Sequence, residues 1–361
     1  MRILVTGAAG FIGSRLVLQL LAQDHTVVAV DNFSERVHGG LATLGKHFNK
    51  AKFYPIDIRS RDSMRALLMS EEIDAVVHLA SETATGKSLE EIVEHTQSNV
   101  CGTATLLAAL SDAKSPVRRI VLASSRAVYG EGAWVNDRDE VEYPAPRSAM
   151  QLSLGKWIPT SVIDSQPLER PLPHCASSTL TAPVSIYGTT KLAQEGLVRS
   201  WSHANDVSSV VLRFQNVYGP GQSTNNPYTG VLTLFCTRAS QHQVLDVYED
   251  GNIIRDFVYI DDVVKSLTLA VEAPLERSAI LDVGTGVAAS LFSVAQRMSE
   301  ILGAPAPVIS GNYRAGDVRT AYADTSASIH WLGWEPLTNL DSGLERLCQF
   351  VLSPSKSDNH D

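Results

Sequence analysis

Tyr187 and Lys191 stand four residues apart in Tyr187-Gly188-Thr189-Thr190-Lys191, inside a segment at about 185–203 patterned as a helix. That spacing puts a phenol and an ammonium on one face. A phenol of ordinary pKa, ~10, is a poor base at neutral pH, but a neighbouring cation favours its phenolate. Ser125 follows an apolar strand in Leu122-Ala123-Ser124-Ser125-Arg126-Ala127-Val128-Tyr129-Gly130. Its hydroxyl is placed to hydrogen-bond a substrate oxygen as that oxygen becomes a carbonyl, which leaves Ser124 a structural role. The chemistry is proton abstraction from an alcohol, with Ser125, Tyr187 and Lys191 as the catalytic candidates. Taken alone, a Tyr-x-x-x-Lys spacing is commonplace on helix surfaces, so its weight comes from what precedes it.

What precedes it is a strand, a glycine turn, a helix and a second strand between Met1 and Asn32. In Thr6-Gly7-Ala8-Ala9-Gly10-Phe11-Ile12-Gly13 the glycines allow a sharp turn, bring backbone N–H groups close to a pyrophosphate, and pack the new helix on the sheet. The spacing is G-x-x-G-x-x-G rather than the general G-x-G-x-x-G. The next strand ends in Asp31, whose carboxylate suits the hydroxyls of an adenosine ribose and opposes a 2′-phosphate. The expectation is NAD rather than NADP, whose positive nicotinamide ring would further favour the Tyr187 phenolate.

These groups need a scaffold, and the chain alternates strands and helices as a doubly wound parallel sheet requires. Strands are expected at about 52–56, 74–79, 119–123 and 208–213, with helices at about 63–69 and 90–110. Their carboxyl ends, where such sheets bind ligands, carry Gly7, Asp31, Asp57, Ala80 to Glu82, and Ser124-Ser125. The pattern breaks at about 141–183, which reads as an inserted surface excursion. The expected fold class is α/β, a Rossmann-like sheet over 1–214 with a smaller α/β substrate domain over 215–352. Residues at about 253–276 are expected to return to the first domain, and 353–361 to form a disordered tail.

A chain of 361 residues, 44% hydrophobic and 19% charged, can bury a substantial core. Its net charge of −9 offers no footprint for nucleic acid or an anionic membrane. The four cysteines, Cys101, Cys175, Cys236 and Cys348, lie far apart, which suits a reducing cytoplasm and offers no metal site. The glycines of the opening stretch interrupt it before it reaches membrane-spanning length. Thr85-Gly86-Lys87-Ser88 resembles the end of a P-loop, but the required first glycine position holds Ser81. No G-x-S-x-G elbow is present.

Together these residues resemble an extended short-chain dehydrogenase/reductase, the nucleotide-sugar epimerase/dehydratase family, over nearly the whole chain. The resemblance rests on Gly7 to Gly13, Asp57-Ile58, His78-Leu79-Ala80, Asn99, Ser125, Tyr187 and Lys191. It continues through Arg213-Phe214-Gln215-Asn216-Val217-Tyr218-Gly219-Pro220-Gly221, Arg255-Asp256-Phe257-Val258-Tyr259-Ile260-Asp261-Asp262 and Gly316-Asp317-Val318-Arg319. The loop from Ser81 to Ser88, the stretch from Ser124 to Gly132 and that from Gln215 to Ser223 resemble most the bacterial dTDP-L-rhamnose 4-epimerases and neighbouring deoxysugar enzymes. Those relatives often carry a paired-cysteine knuckle in the insertion, where this chain has only Cys175, beside His174.

The resemblance implies a cofactor set of Gly7, Gly10, Phe11, Ile12, Gly13, Asp31, Asn32, Asp57, Ile58, Leu79, Ala80, Ser81, Asn99, Ala123, Tyr187, Lys191 and Gln215, with NAD bound. It implies a nucleotide-diphosphate sugar, dTDP- or UDP-linked, held by Thr83, Thr85, Ser125, Arg126, Asn216, Asn226, Arg255 and Arg319. Of these, Asn216, Arg255 and Arg319 would hold the diphosphate and nucleotide, as planar guanidinium forks suit phosphate oxygens. No metal is implied, and a homodimer is. The activity implied is 4-epimerisation through a transient 4-keto sugar. A dehydrogenase or 4-ketoreductase needs the same residues. A 4,6-dehydratase needs a further acid and base where this chain has Arg126 and Ala127. A non-catalytic NAD sensor or scaffold would not need Ser125, Tyr187 and Lys191 together.

Overall fold

The computed structural model describes residues 1–34, 50–83, 88–223, 230–276, 278–314 and 316–353. Its centre is a seven-stranded parallel sheet built from β1 (Arg2–Thr6), β2 (Thr26–Val30), β3 (Lys52–Tyr54), β4 (Ala75–His78), β5 (Arg119–Ser125), β6 (Ser208–Phe214) and β7 (Ala279–Val283). They lie in the order β7-β6-β5-β4-β1-β2-β3. The order reverses between β1 and β4, and such a switch point opens a crevice at the carboxyl ends of the strands.

Alternation along the strands sends side chains to two separate cores. Ile3, Val5, Val27 and Ala29 join one, lined by the helices Phe11–Ala22 and Ile260–Glu272. Leu4, Val28 and Val30 join the other, lined by Arg61–Ser70 and Gly102–Asp112. Both faces of a parallel sheet are thereby covered, as its apolar strands require.

Helix Gly102–Asp112 is preceded without a break by the α-turn Ile92–His95 and a π-turn, Thr96–Cys101, which contains the buried Asn99. β7 was not anticipated from sequence. It pairs with β6 through Val283↔Phe214, after helix Ile260–Glu272 has crossed back over the sheet. Helices Val231–Ser240, Leu291–Leu302 and Leu340–Leu352 pack together.

The segment 141–183 is tied to the body of the protein at a few buried points. Trp134–Val135 pairs antiparallel with both Val141–Glu142 and Arg170–Pro171, and a short helix, Ala149–Ser153, follows. Arg147 and His174 from this segment are 7% and 2% exposed. His174 takes a backbone bond from its N–H to the Tyr322 carbonyl and accepts one from the Asp324 N–H, stitching the insertion to the C-terminal part. Its weak periodicity reflects polar anchoring, which leaves no apolar repeat to read.

Candidate active site

The glycine turn forms the floor of a crevice also lined by Asp31, Asn32, Asp57, Ile58, Leu79, Ala80 and Ser81. Gly7 has φ +69°, and a Cβ there would meet the Ala80 backbone nitrogen at 2.7 Å. A Cβ on Gly13 would collide with the Gly7 carbonyl. Gly10 caps helix Phe11–Ala22 and has no side chain to occupy the free N–H groups of its first turn, which are therefore open to an anion. Phe11 and Ile12 sit partly buried against the core at that end.

Asp31 is fixed from both sides, Oδ2 accepting from Ala9 N–H and Oδ1 from Phe33 N–H, each at 2.9 Å. Carboxylate oxygens carry further lone pairs, so ribose hydroxyls can still be received. Asn32 donates to Asp57 at 3.1 Å. The Arg59 guanidinium, 2.6 Å from Asp57, holds that carboxyl down at about 2. Asn99 serves the crevice from behind: its amide donates to the Glu82 carbonyl and Thr190, and accepts from Ser81 and Glu82 N–H. With its donors and acceptor so engaged, it braces Ser81 and Glu82 rather than facing the opening. This floor, its open helix end and its anchored carboxylate fit a dinucleotide.

The catalytic candidates come together at the end of β5. Helix Ile186–Ala204 starts at Ser185, whose hydroxyl accepts from Gly188 N–H. Gly188 faces the Ala127 carbonyl so closely that a Cβ would sit 2.5 Å from it, and the helix start is thereby clamped against the turn Arg126–Tyr129. Ser125 acts on the Tyr187 phenol across this contact, pulling its pKa down. Lys191 donates from Nζ to the Ala123 carbonyl at 3.0 Å, and Nζ lies 5.9 Å from the Tyr187 ring centre. Ser124 is structural, as expected, donating to Glu195, which also receives both forks of Arg213.

Burial pushes the Tyr187 phenol up, and the influences pulling it back are the Ser125 hydrogen bond and the Arg126 charge. Burial pulls the Lys191 ammonium down to about 7, against the opposing pull of Glu195. Lys191 stands with its Nζ over the Tyr187 ring, and Arg126 adds a further positive influence on the phenol.

The substrate candidates divide. Arg126 donates from Nε to the Asn216 side-chain oxygen at 3.0 Å, so these two are joined beside Tyr187. Arg255 acts electrostatically on Arg126, and its guanidinium is held by Asp317 at 2.9 Å and by the Val318 carbonyl. Arg319 is engaged elsewhere, forking onto Asp250 and reaching Glu249 at 2.8 Å. The Gln215 carboxamide, 4% exposed, has no partner for either polar atom among the described residues, as a ligand-facing group would. Thr83 is exposed at the crevice edge, and its carbonyl accepts from His95. Thr85 and Asn226 lie outside the described residues, as do Gly39 and Gly40. Among the described residues no cluster of metal ligands occurs, and Cys175 is a free thiol near Ser177.

Sequence reasoning missed the carboxylates that hold the arginines. Arg147 bonds Glu131 at 3.0 Å and Glu249 at 2.9 Å, and Glu131 also accepts from Arg319 N–H. Partners so far apart in the chain leave no local signal.

With this geometry in place, comparison with known proteins is informative. Residues 3–153 and 166–284 match the NAD dependent epimerase/dehydratase family, the unmatched gap falling inside the insertion. The chain is 40% identical to a dTDP-L-rhamnose 4-epimerase of Burkholderia thailandensis, over 97% of this chain and 94% of that protein. Among solved structures it resembles the Thermotoga maritima UDP-glucose 4-epimerase bound to UDP-glucose, with a TM-score of 0.78, 27% identity and coverage of 97% and 98%. It also resembles the Thermus thermophilus UDP-glucose 4-epimerase in complex with NAD, with a TM-score of 0.75, 25% identity and coverage of 98% and 100%. The parallel sheet with its glycine-floored crevice and the gathering of Ser125, Tyr187 and Lys191 at the end of β5 agree with these matches, and the chain belongs to the NAD dependent epimerase/dehydratase family.

Proposed function

We propose that this protein inverts C4 of a nucleotide-diphosphate hexose, with NAD as its cofactor. The observation that carries this reading is the Ser125–Tyr187–Lys191 group at the end of β5, tied to the glycine-floored crevice through Thr190, which accepts from Asn99, which in turn accepts from the crevice-lining Ser81. When bound, NAD supplies the hydride exchange at C4. Tyr187 as phenolate takes the proton of the C4 hydroxyl, while Ser125 hydrogen-bonds the same oxygen as it becomes a ketone. Lys191, anchored by the Ala123 carbonyl, is placed to bind the nicotinamide ribose. Asn216 and Arg255 hold the diphosphate, so the 4-keto sugar can turn over without leaving. Once C4 has been reduced on its opposite face, Tyr187 returns its proton to the C4 oxygen, which restores an alcohol of inverted configuration.

Arg126 and Ala127, where a dehydratase needs an acid and a base, favour epimerisation over dehydration. The 40% identity to a dTDP-L-rhamnose 4-epimerase supports a dTDP-linked deoxyhexose as substrate. Screening dTDP- and UDP-hexoses for C4 epimers tests the reading. Tyr187→Phe should lower kcat by ~10²-fold or more while sugar-nucleotide affinity is retained. Absence of C4 epimers from every such sugar would overturn it.

A further inference from the structure

Helix Ile186–Ala204 meets the end of β5 along one face, through residues spaced three and four apart. Gly188 packs on the Ala127 carbonyl, Lys191 donates to the Ala123 carbonyl at 3.0 Å, and Glu195 accepts from the Ser124 hydroxyl at 2.5 Å. Lys191 and Glu195 thus grip consecutive residues of the strand. Glu195 stands one helical turn beyond Lys191 and has no part in the proton transfer.

Glu195 is 2% exposed and gathers two strands onto the helix. Its Oε1 accepts from Ser124 on β5 and from Arg213 Nε on β6 at 2.9 Å, and its Oε2 accepts from the second fork of Arg213 at 2.7 Å. Ser124 and Arg213 are register partners in the sheet, so one carboxylate spans neighbouring strands at the same level. A buried ion pair adds little net stability over apolar residues of similar volume. Its distinctive contribution is a directional hold.

That hold falls on the residue before Ser125. On the other side, Ser125 Oγ accepts from Ala127 N–H at 3.1 Å, which leaves the hydroxyl proton to be donated. The far end of the same turn is pinned as well. Tyr129 donates to both oxygens of Asp282 at 2.8 and 2.9 Å, and the Arg213 guanidinium lies 4.8 Å from its ring centre. Ser125 therefore stands between two fixed points, Ser124 and the turn Arg126–Tyr129.

Resting on the role of Ser125 as donor to the C4 oxygen, we propose that Glu195 is a positioning residue. Through Ser124 it keeps the Ser125 hydroxyl aimed at the oxygen from which Tyr187 takes the proton. Glu195 touches neither substrate nor cofactor in this role, and no proton passes through it.

Ser124→Ala deletes one hydroxyl and leaves the Glu195–Arg213 pair whole, and Glu195→Gln removes the charge that binds Ser124 and Arg213 together. In the NAD-bound protein, hydrogen exchange of the Ala127 amide should speed up by ~10-fold or more in both variants. In Ser124→Ala the amides in the last turns of helix Ile186–Ala204 should keep their protection. With a dTDP-hexose that the protein epimerises, kcat should fall by ~10-fold at little change in KM, and Ser124→Thr, which keeps the hydroxyl, should recover most of the loss. The fall should vanish when Ser124→Ala is made in Ser125→Ala, where no hydroxyl is left to aim. Ser124→Ala carries the test if Glu195→Gln does not fold. An Ala127 amide that exchanges at the wild-type rate in Ser124→Ala would overturn the inference. So would an equal fall in kcat with and without the Ser125 hydroxyl, which would make the contact a general support of the fold. The exchange measurement needs no turnover, so its outcome stands apart from whether the protein epimerises any particular sugar.

Discussion

Lys191 reaches the Ala123 carbonyl with its Nζ at 3.0 Å, which ties the catalytic helix to the strand that ends in Ser125. The ammonium is buried at 4% exposure and is pulled down to about 7, whereas an unfolded lysine titrates near ~10.4. The folded pKa lies below the unfolded one, so the folded protein binds fewer protons between them. This contribution to stability therefore rises with pH from about 7 and is lost again as pH falls through that value. Without cofactor, Lys191→Met should melt a few °C higher than wild type at neutral pH, and the gap should close toward pH ~10. A melting curve measured across pH checks this, and a constant gap would reject the buried cation as its cause.

Asp31 is held by Ala9 and Phe33 N–H in the lining of the crevice. The protein should bind NAD more tightly than NADP, because a 2′-phosphate would meet this carboxylate. Asp31→Ala should weaken NAD and narrow the difference. Calorimetric titration of both dinucleotides measures it, and tighter NADP binding by wild type would contradict the assignment.

Much of this site was legible in sequence because its parts are local. The glycine turn, the strand ending in Asp31 and the four-residue Tyr187–Lys191 spacing each sit within one turn or one element, so propensity and periodicity expose them. Arg319 shows the limit. A guanidinium reads as a phosphate partner until Asp250 and Glu249, some seventy residues away, are seen to hold it. β7 escaped for a related reason: its Asp282 breaks an otherwise apolar strand, and only the fold reveals that Tyr129 donates to that carboxylate. The insertion's weight likewise lies in polar anchors, whose partners are set by tertiary structure.

Arg147 is the strongest of those anchors. It is 1% exposed at its side chain, bonding Glu131 and Glu249 as well as the Asp317 and Trp157 carbonyls. Arg147→Ala would leave two buried carboxylates short of a cation, a loss of about 3–5 kcal/mol by analogy with other broken buried pairs. Denaturant unfolding should show the midpoint fall. Binding of nucleotide sugar should weaken as well, since Arg147 also holds the Asp317 backbone beside Arg255. Unchanged stability would mean that the insertion is not held through this residue.

Redox balance separates an epimerase from a dehydrogenase or ketoreductase built on the same three catalytic groups. In the roles proposed for them, Ser125, Tyr187 and Lys191 would serve the first half-reaction alike in each, so the distinction lies in what happens to the hydrogen of C4. With the second acid and base of a dehydratase replaced by Arg126 and Ala127, nothing beside Ser125 draws the 4-keto sugar toward elimination. The protein should therefore convert substrate through many turnovers with only its bound NAD, and NADH should not accumulate. Substrate deuterated at C4 should give an epimer that keeps the label on C4, as mass spectrometry of the product can show. Stoichiometric NADH with a keto-sugar product would establish a dehydrogenase, and a requirement for added NADH to consume a keto sugar would establish a reductase. Loss of the label to solvent would be as damaging, because it would replace return of the same hydrogen by proton exchange.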